Sequence, residues 1–302
     1  MRVRARTKDK RQTEQRLPAS RNLDRMTALQ IVRLMNHEDR KVAAIVGREL
    51  PVIARAVDAI VKAIRAGGRL FYVGAGSSGR MAVLDVAECP PTFGISHRQM
   101  RAFIAGGRRA VTGAVEGAED APENGERDLR RVKLTKKDVV VGIAASGTTP
   151  YVVGALKFAR ERGAMTVAVT ANRNVAVTRL ARIAIAAEVG PEVLTGSTRL
   201  KAGTAQKMVL NMLSTAAMAR LGHVYENLMI DAVLTNEKLQ ERAVRILTEA
   251  SGASVSAAEH ALRAAGHRMR VALIMLKGGI AASDAERLLR SANGDLRAAI
   301  GK

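Results

Sequence analysis

The chain contains 302 residues, 47% of them hydrophobic and 2% aromatic, so it can bury one large core or a main core and a smaller one. The single cysteine, Cys89, excludes an internal disulfide, and no Cys/His cluster offers a zinc site. Because the sequence shows neither a secretory signal nor a long apolar span, we expect a cytoplasmic protein outside the membrane. The net charge of +21 is spread along the chain without a base-reading or base-stacking motif, so we interpret it mostly as solvated surface that can attract an anionic substrate, and we do not expect nucleic acid as a partner.

The N-terminal region divides into a polar segment and helices. Residues 1–15 are basic, polar and without a hydrophobic period, which predicts a loose arm. A helical pattern runs from Arg40 to Arg65, and Pro51 should kink or divide this helix. We therefore predict an arm with helices over residues 1–55, ahead of a main domain.

The first predicted strand, Leu70–Val73, leads at once into a turn of glycines and serines, Gly74–Gly79, and then into a helical pattern. A turn of this kind leaves backbone N–H groups free at a helix N-terminus, where the helix dipole favours negative charge. The hydroxyls of Ser77 and Ser78 add donors. We interpret the turn as a phosphate-binding site that includes Gly76 and both serines.

Two other interpretations of this turn are open. The hexad fits the G-x-G-x-x-G pattern of dinucleotide-binding folds, but such a fold places an acidic residue about 20 residues further on, at the end of the next strand. Asp85 and Glu88 come too early for that role. The turn could also be a strand-to-helix connection without a ligand, although its two consecutive serines favour a phosphate.

The chain repeats this arrangement further along. Val139–Ile143 is a second apolar run, and it leads into a second turn rich in hydroxyls, Ser146, Gly147, Thr148 and Thr149. Neighbouring parallel strands present such turns on the same edge of a sheet, outside their carboxyl ends. Two hydroxyl-rich turns on one edge suit a sugar phosphate better than a pyrophosphate.

Strand-like and helical patterns alternate through the middle of the chain. Further strand-like runs are Met100–Ala105, Met165–Thr170 and Ile183–Val189. This alternation predicts an α/β fold, in which a parallel sheet carries helices on both faces in a flavodoxin-like three-layer sandwich. We predict that residues 56–224 form this phosphosugar-binding domain.

A long helix should begin near Lys201 and end near Leu221. Thr195, Ser197 and Thr198 precede it and can cap it. Lys201 would then either contact the substrate or be a solvated lysine on a capped core helix, and the pattern leaves both interpretations open.

The C-terminal region, residues 225–302, is helical, rich in alanine and leucine, and punctuated by glycines. Two capping-box patterns, Ser256–Glu259 and Ser283–Glu286, each predict the start of a helix. We predict a small UBA-like domain of packed short helices, an interaction or lid module rather than a catalytic one.

Two short motifs are specific to one family: Glu-Cys-Pro-Pro at Glu88–Pro91 and Glu-Gly-Ala-Glu-Asp at Glu116–Asp120. They stand within longer stretches, Tyr72–Arg80, Ala87–Gly94, Val115–Asp120, Asp138–Gly147, Glu192–Lys207 and Asn227–Met229. In these stretches the chain resembles the N-acetylmuramic acid 6-phosphate etherases, which have the sugar isomerase (SIS) fold. The resemblance extends from about Glu14 to Gly301.

The resemblance implies a reaction and its machinery. The family cleaves the lactyl ether of N-acetylmuramic acid 6-phosphate into N-acetylglucosamine 6-phosphate and D-lactate, acts as a homodimer and needs no metal or cofactor. By resemblance, Glu88 protonates the departing lactate and Glu119 removes the C2 proton, although which glutamate is acid and which is base stays open. The substrate contacts that we predict are Gly76, Ser77, Ser78, Ser146, Gly147, Thr148, Thr149, Glu192, Ser197 and Lys201.

The chain departs from the family pattern at three places. Ser77 replaces the usual threonine and keeps the hydroxyl, whereas Thr148 stands where the family usually has an arginine that could hold the substrate's anionic groups. After the strand at Met165, Ala171-Asn-Arg173 replaces the usual Cys-Asn-Pro. None of these changes removes a proposed acid or base.

Other functions fit parts of the pattern. On pattern alone, Glu88 could be a solvated carboxylate after a helix and Glu119 could flank a helix. An aldose–ketose isomerase on the same fold would return the C2 proton to C1, and a phosphosugar-sensing regulatory protein would bind without catalysis. Binding alone needs neither glutamate, so the presence of both favours the lyase.

Overall fold

The computed structural model describes residues 11–301 and divides into two compact units. The first comprises the chain up to Val86 together with Arg98–Ser214, and the second comprises Ala87–His97 with Thr215 onwards. The predicted boundary after residue 55 does not separate two units, because the third helix packs against strands of the sheet. The predicted boundary at 224 lies ten residues beyond the observed one.

The N-terminal helices of the first unit follow the predicted division. They are α1 (Ala28–Asp39), α2 (Val42–Gly47) and α3 (Leu50–Arg65). Pro51 lies in the first turn of α3, where a missing N–H has no helical partner to lose, and this confirms the predicted division of the long helical pattern.

The segment before α1 is ordered where the structure describes it, so the predicted loose arm is wrong for residues 11–15. Gln12–Glu14 forms a 3-10 turn, and Thr13 is fully buried. The backbone N–H of Gln12 donates to Asn172 Oδ1 at 2.7 Å, and Asn172 Nδ2 donates to Thr13 Oγ1 at 3.2 Å. A buried polar group needs such partners, and these contacts fix the segment on the first unit. The rest of the predicted arm lies outside the described residues.

Among residues 11–301, five parallel strands form one sheet, which confirms the predicted α/β fold. They are β1 (Leu70–Gly74), β2 (Met100–Ile104), β3 (Val139–Ile143), β4 (Met165–Thr170) and β5 (Ile183–Ala186), in the order β2-β1-β3-β4-β5. Because β1 and β3 are neighbours in register, with Gly74 paired to Ile143, the two hydroxyl-rich turns leave the same edge of the sheet.

The helices that accompany the sheet are α4 (Gly76–Phe93), α5 (Arg109–Thr112), α6 (Pro122–Arg131), α7 (Pro150–Glu161), α8 (Ala176–Leu180) and α9 (Lys201–Arg220). One hydrophobic cluster joins β1 and β3 to α7 through Phe71, Val140, Tyr151 and Leu156, all of them buried. This packing holds α7 against β1 and β3.

An ion pair between the half-buried Arg69 and the buried Asp138 joins the segments that enter β1 and β3. Asp138, 1% exposed, accepts hydrogen bonds from Arg69 N at 2.9 Å, Arg69 Nη2 at 2.8 Å and Thr135 N at 2.8 Å. Burial alone would raise the pKa of Asp138, but the bonds from Arg69 and Thr135 outweigh it and hold the pKa below its usual value.

Asp138→Asn should lower the free energy of unfolding by about 2 kcal/mol at pH 7, because it removes the charge of a buried carboxylate that accepts hydrogen bonds from the half-buried Arg69. A depressed folded-state pKa adds stability above the unfolded value of about 3.9, and that stability is lost as the pH falls through the folded value. Denaturant unfolding at several pH values should therefore show the difference between parent and variant shrinking in acid. Asp24→Asn, an exposed control, should change little; an equal loss in both would contradict the assignment.

Five helices lie wholly within the described residues of the second unit: α10 (Glu237–Ser251), α11 (Val255–Ala264), α12 (Met269–Gly278), α13 (Ala282–Ser291) and α14 (Leu296–Ile300). They enclose a core of mostly small and aliphatic side chains, among them Ala243, Leu247, Ala258, Leu273 and Ala285. The predicted helical C-terminal region is thereby confirmed.

Both predicted capping boxes in this unit are wrong. Ser254 caps α11 by accepting from Ala257 N at 3.2 Å, so Ser256 lies inside the helix. α13 begins after Ala281, which has no side-chain cap, and Ser283 is again internal. In each case the chain turns into the helix two residues before the serine that fits the pattern.

None of the helices within residues 11–301 combines the length and the apolarity that a membrane crossing needs.

Candidate active site

The first turn carries its serines on the helix rather than ahead of it. α4 begins at Gly76, so Ser77 and Ser78 lie in its first turn, where backbone N–H groups have no acceptor within the helix. Gly76 has φ +51°, which favours glycine. A Cβ on Gly79 would lie 2.5 Å from Ile104 Cγ1, so the helix approaches β2 closely at this point. The N-terminus of α4 thus presents N–H and hydroxyl donors together.

Further along α4, Asp85 accepts a hydrogen bond from Ser214 Oγ on α9 at 2.9 Å. Burial raises the pKa of Asp85 to about 6, against the lowering effects of Ser214, Tyr72 and the charge of Lys207. Asp85 therefore changes its protonation state in mildly acidic solution, at a pH of about 6 rather than 3.8.

Asp85→Asn should become more favourable to stability as the pH rises. The raised folded-state pKa means that protonation of Asp85 stabilises the fold below pH 4 and that this contribution is lost as the pH rises through about 6. Relative to the parent, the variant should gain about 1–3 kcal/mol in unfolding free energy between pH 4 and pH 7. Denaturant titrations at the two pH values measure this, and a difference independent of pH would contradict it.

The second turn joins β3 to α7. Thr148 N and Thr148 Oγ1 both donate to Ser146 Oγ, at 3.3 and 3.2 Å. Gly147 has φ +73°, and a Cβ there would lie 2.2 Å from Val175 Cγ2, so glycine is required by both conformation and space. The turn therefore holds its hydroxyls in a fixed cluster.

The acidic loop is tied to this second turn. Tyr151 N, in the first turn of α7, donates to the carbonyl of Glu119 at 3.0 Å. Val152 N and Val153 N donate to the carbonyl of Thr149, at 3.1 and 3.0 Å. Pro150 carries no N–H, so the first backbone donors of α7 are largely engaged within the protein. The hydrogen bond from Tyr151 N therefore ties the backbone of Glu119 to the start of α7.

Two glycines allow α6, which follows the acidic loop, to contact α7 at backbone distance. A Cβ on Gly125 would lie 2.0 Å from the carbonyl oxygen of Tyr151, and a Cβ on Gly154 would lie 2.1 Å from the carbonyl oxygen of Pro122. Tyr151 also donates its hydroxyl to Asp128 at 2.7 Å, and burial together with Asp128 raises the pKa of Tyr151. These contacts hold the loop that carries Glu119.

One cavity of about 410 Å³ collects the two turns and the acidic loop. Its lining includes seven of the predicted site residues: Gly76, Ser77, Ser78, Glu119, Ser146, Thr148 and Thr149. It also includes eight residues that the sequence analysis did not assign to the site: Arg11, Glu14, Ala75, Asp120, Ala145, Pro150, Gly196 and Thr198. The cavity is polar and large enough for a phosphosugar, whose binding it can serve through hydroxyls, N–H groups and carboxylates.

Arg11 and Glu14 gave no sequence signal, because a short polar segment without period resembles a loose arm. Arg11 Nη1 donates to Thr148 Oγ1 at 2.9 Å across 137 positions of the chain. Thr198 was considered only as a helix cap. Asp120 belongs to the acidic motif, and its position next to Glu119 is the one signal that could have indicated it.

Three of the predicted substrate contacts have protein partners or lie beside the lining. Glu192 is buried and accepts from Lys201 N at 3.0 Å and Ala202 N at 2.9 Å, so it caps α9; burial raises the pKa of Glu192. Lys201 Nζ donates to Glu38 Oε2 at 2.6 Å, and both side chains are buried, which differs from either predicted role. Ser197 lies between two lining residues, Gly196 and Thr198.

Glu88 lies on α4, and its side chain is exposed. It belongs to the segment Ala87–His97, which the structure groups with the second unit. Pro90 and Pro91 are inside α4 rather than after it, and the carbonyl of Pro91 accepts from Val233 N at 3.0 Å. The Glu-Cys-Pro-Pro motif is therefore helical.

Two domain families match overlapping parts of the chain. Residues 52–160 match the glucokinase regulatory protein N-terminal SIS domain, and residues 118–216 match the SIS domain. Two solved phosphoheptose isomerases, from Francisella tularensis and Neisseria gonorrhoeae, each give a TM-score of 0.50 at 16% identity, over 64% of this chain and 100% of theirs. These similarities show the fold and confirm the predicted SIS type.

Full-length relatives are much more similar. An N-acetylmuramic acid 6-phosphate etherase of Serratia proteamaculans (strain 568) is 53% identical over 95% of this chain and 97% of its own length. One of Yersinia pestis (strain Pestoides F) is 52% identical over 95% of this chain and 98% of its own length. Because the identity is this high across nearly the whole of both chains, the chain belongs to the N-acetylmuramic acid 6-phosphate etherase family.

Proposed function

We propose that this enzyme cleaves the D-lactyl ether of N-acetylmuramic acid 6-phosphate, releasing D-lactate and N-acetylglucosamine 6-phosphate. The observation that carries the proposal is the single cavity in which two hydroxyl-rich turns meet Glu119. Full-length relatives that are 52–53% identical are named for this activity, which supports the same conclusion.

The reaction proceeds by elimination and addition. In the open-chain sugar the C1 aldehyde acidifies the proton on C2. Glu119 takes that proton, a C2–C3 double bond forms, and the C3–O bond breaks as Glu88 protonates the departing lactate oxygen. Water then adds at C3 while Glu88 takes its proton, and C2 recovers a proton from Glu119. General acid–base catalysis of this kind needs two carboxyl groups in opposite protonation states.

The substrate is held by the two turns. The N-terminus of α4 offers Gly76, Ser77 and Ser78 to an anionic group, by N–H groups and hydroxyls. Ser146, Thr148 and Thr149 offer hydroxyls from the second turn. Gly147 permits the turn, while Glu192 and Lys201 keep the start of α9, and with it the Ser197 loop, in place. Ser77 and Ser146 face the same cavity, so one phosphosugar can contact both turns.

D-lactate release from N-acetylmuramic acid 6-phosphate by the purified protein tests the proposal. In H₂¹⁸O, elimination followed by addition should place ¹⁸O at C3 of the product sugar and none in the lactate. An aldose–ketose isomerase would release no lactate and form a ketose, and a sensor would bind the phosphosugar unchanged. Either of those two results would overturn the lyase.

We expect the enzyme to act as a cytoplasmic homodimer in the use of cell-wall amino sugars. A cytoplasmic location suits a phosphorylated substrate, because the phosphate keeps the sugar from crossing a membrane. Light scattering coupled to size-exclusion chromatography should give twice the chain mass, and a monomeric mass with full activity would contradict the dimer.

A further inference from the structure

The charge inside the cavity is unfavourable for the proposed substrate unless a cation is present. N-acetylmuramic acid 6-phosphate carries a phosphate and a lactyl carboxylate. Three lining residues, Glu14, Glu119 and Asp120, are acidic. Among the described residues that line the cavity, Arg11 is the one with a positive charge. All three acidic residues are exposed, so solvent weakens the repulsion between them and an anionic guest, but like charges still disfavour its binding and a cation in the lining offsets this.

Arg11 is fixed by the residues that follow it. The backbone of Gln12 and the hydroxyl of Thr13 bond to the Asn172 side chain, at 2.7 and 3.2 Å. Asn172 Nδ2 also donates to the carbonyl of Ala145 at 3.0 Å, directly after β3. Thr13 and Asn172 are both buried. The guanidinium is thus presented from a segment docked at the ends of β3 and β4.

At the second turn, the structure places the hydroxyls of Ser146 and Thr148 together with the guanidinium of Arg11. Backbone N–H groups at the start of α7 already donate to the carbonyls of Glu119 and Thr149. The turn presents a chain of hydroxyls, in which Arg11 Nη1 donates to Thr148 Oγ1 at 2.9 Å and Thr148 Oγ1 donates to Ser146 Oγ at 3.2 Å. A guanidinium at the head of this chain supplies paired N–H donors and a full charge, which suit a phosphate or carboxylate group.

We propose that Arg11 is the residue that selects an anionic substrate at the second turn, by binding either the phosphate or the lactyl carboxylate of the phosphosugar. The proposal rests on the proposed function for the identity of the substrate. It assigns a specificity role to the N-terminal segment. Arg11 acts on substrate affinity, so the chemical step itself belongs to the glutamates.

The test compares Arg11→Gln and Arg11→Lys with Arg21→Gln, an exposed arginine ten positions along that does not line the cavity. KM and kcat are measured for lactate release, and calorimetry gives Kd for N-acetylglucosamine 6-phosphate and for N-acetylglucosamine. Losing a charge-assisted hydrogen bond should raise KM about ten- to a hundredfold in Arg11→Gln and leave kcat within about threefold. Arg11→Lys should recover part of the loss, and Arg21→Gln should match the parent.

The measurements with the two sugars show whether Arg11 binds the phosphate or the lactyl carboxylate. If Kd for N-acetylglucosamine 6-phosphate weakens as much as KM, Arg11 binds the phosphate; if that Kd is unchanged while KM rises, it binds the lactyl carboxylate. Kd for N-acetylglucosamine should be the same in all variants. Unchanged KM and Kd in folded Arg11→Gln, or a fall in kcat with KM unchanged, would overturn the proposal.

The two proposals fail separately. If the parent protein releases no lactate, the proposed function fails, yet the calorimetric comparison of the phosphorylated and unphosphorylated sugars still tests Arg11. Thermal unfolding of each variant shows whether it is folded. If Arg11→Gln is not folded, Arg11→Lys provides the measurement, because it keeps the charge but not the fork of N–H donors. Parent-like KM and Kd in Arg11→Lys, together with parent-like values in Arg21→Gln, would overturn a role for the guanidinium geometry.

Discussion

Replacing Glu119 by glutamine should lower kcat for lactate release by about a hundred- to ten-thousandfold while KM changes little. Glutamine keeps the size and the hydrogen-bonding shape of the side chain but cannot accept the C2 proton. Glu119 lines the cavity together with both hydroxyl turns, so its loss should affect the chemical step rather than the binding of the sugar. Steady-state assay of D-lactate measures both constants.

Deuterium exchange separates the base from the acid. In D₂O, an enzyme that lacks only the acid can still remove the C2 proton and return a deuteron, without breaking the ether. We therefore expect Glu88→Gln to exchange C2 hydrogen in recovered substrate while releasing almost no lactate. Glu119→Gln should do neither. The opposite pattern would exchange the two roles, which the sequence motifs leave open.

Glu116→Gln is the matched control for these variants. Glu116 lies three residues before Glu119 in the same acidic motif and is exposed, but it does not line the cavity of the two turns. Its substitution removes the same charge from the same loop. Activity should stay within about twofold of the parent, since an exposed charge outside the cavity contributes little. If Glu116→Gln loses as much activity as Glu119→Gln, the loop's charge rather than one base is responsible.

The sequence predicts the sheet and both turns because each rests on local patterns. An apolar run followed by Gly and Ser or Thr indicates strand, turn and helix, and the repeat of that pattern predicts that the two turns share an edge. The pairing of Gly74 with Ile143 agrees with this. Six cavity residues on the two turns were therefore predictable, among them Ser77 and Ser146, whereas Glu119 was predicted from the family resemblance.

Contacts between distant segments were not predictable from local pattern. Arg11 reaches Thr148 across 137 positions, and Lys201 pairs with Glu38 across 163. A lysine at the start of a helix reads as solvated or as a substrate contact, because periodicity says nothing about a partner on another helix. The buried carboxylate of Glu38 gives Lys201 a role that differs from both.

The departures from the family pattern acquire partners in the structure. Arg173, in the loop after β4, donates to Glu49 at 2.5 Å and to Glu188 at 2.7 Å. These two ion pairs raise the pKa of Arg173, most strongly through Glu188. Thr148 accepts from Arg11, so a guanidinium stands beside the second turn although the turn itself contains none. A comparison of short motifs shows that these residues differ from the family pattern, but it does not show which distant residues they contact.

The contact between α6 and α7 should be the most sensitive to a single methyl group. In Gly125→Ala or Gly154→Ala the new Cβ would approach a backbone carbonyl oxygen to 2.0 or 2.1 Å, so the helices must separate. Neither contact can be relieved by moving a flexible side chain. We expect each variant to lose about 3 kcal/mol in free energy of unfolding, as for overpacking of a rigid interior, even though alanine favours a helix by about 1 kcal/mol.

The same substitutions should reduce activity in the fraction that folds. Glu119 precedes α6 and is bonded through its carbonyl to Tyr151 of α7, so separating the helices displaces the base. A shift of about 1 Å in a reacting group can cost about a hundredfold in rate. We therefore expect kcat to fall at least tenfold at a temperature well below the unfolding midpoint, with circular dichroism close to that of the parent.

Gly47→Ala provides the matched control, because a Cβ there meets nothing within 4 Å and the residue ends α2 without a left-handed backbone. It should leave activity unchanged and alter unfolding free energy by less than about 1 kcal/mol. Parent-like stability in Gly125→Ala would mean that α6 moves freely against α7. Parent-like kcat in a destabilised Gly125→Ala would mean that the position of Glu119 is set by the loop itself, and the link from helix packing to catalysis would be wrong.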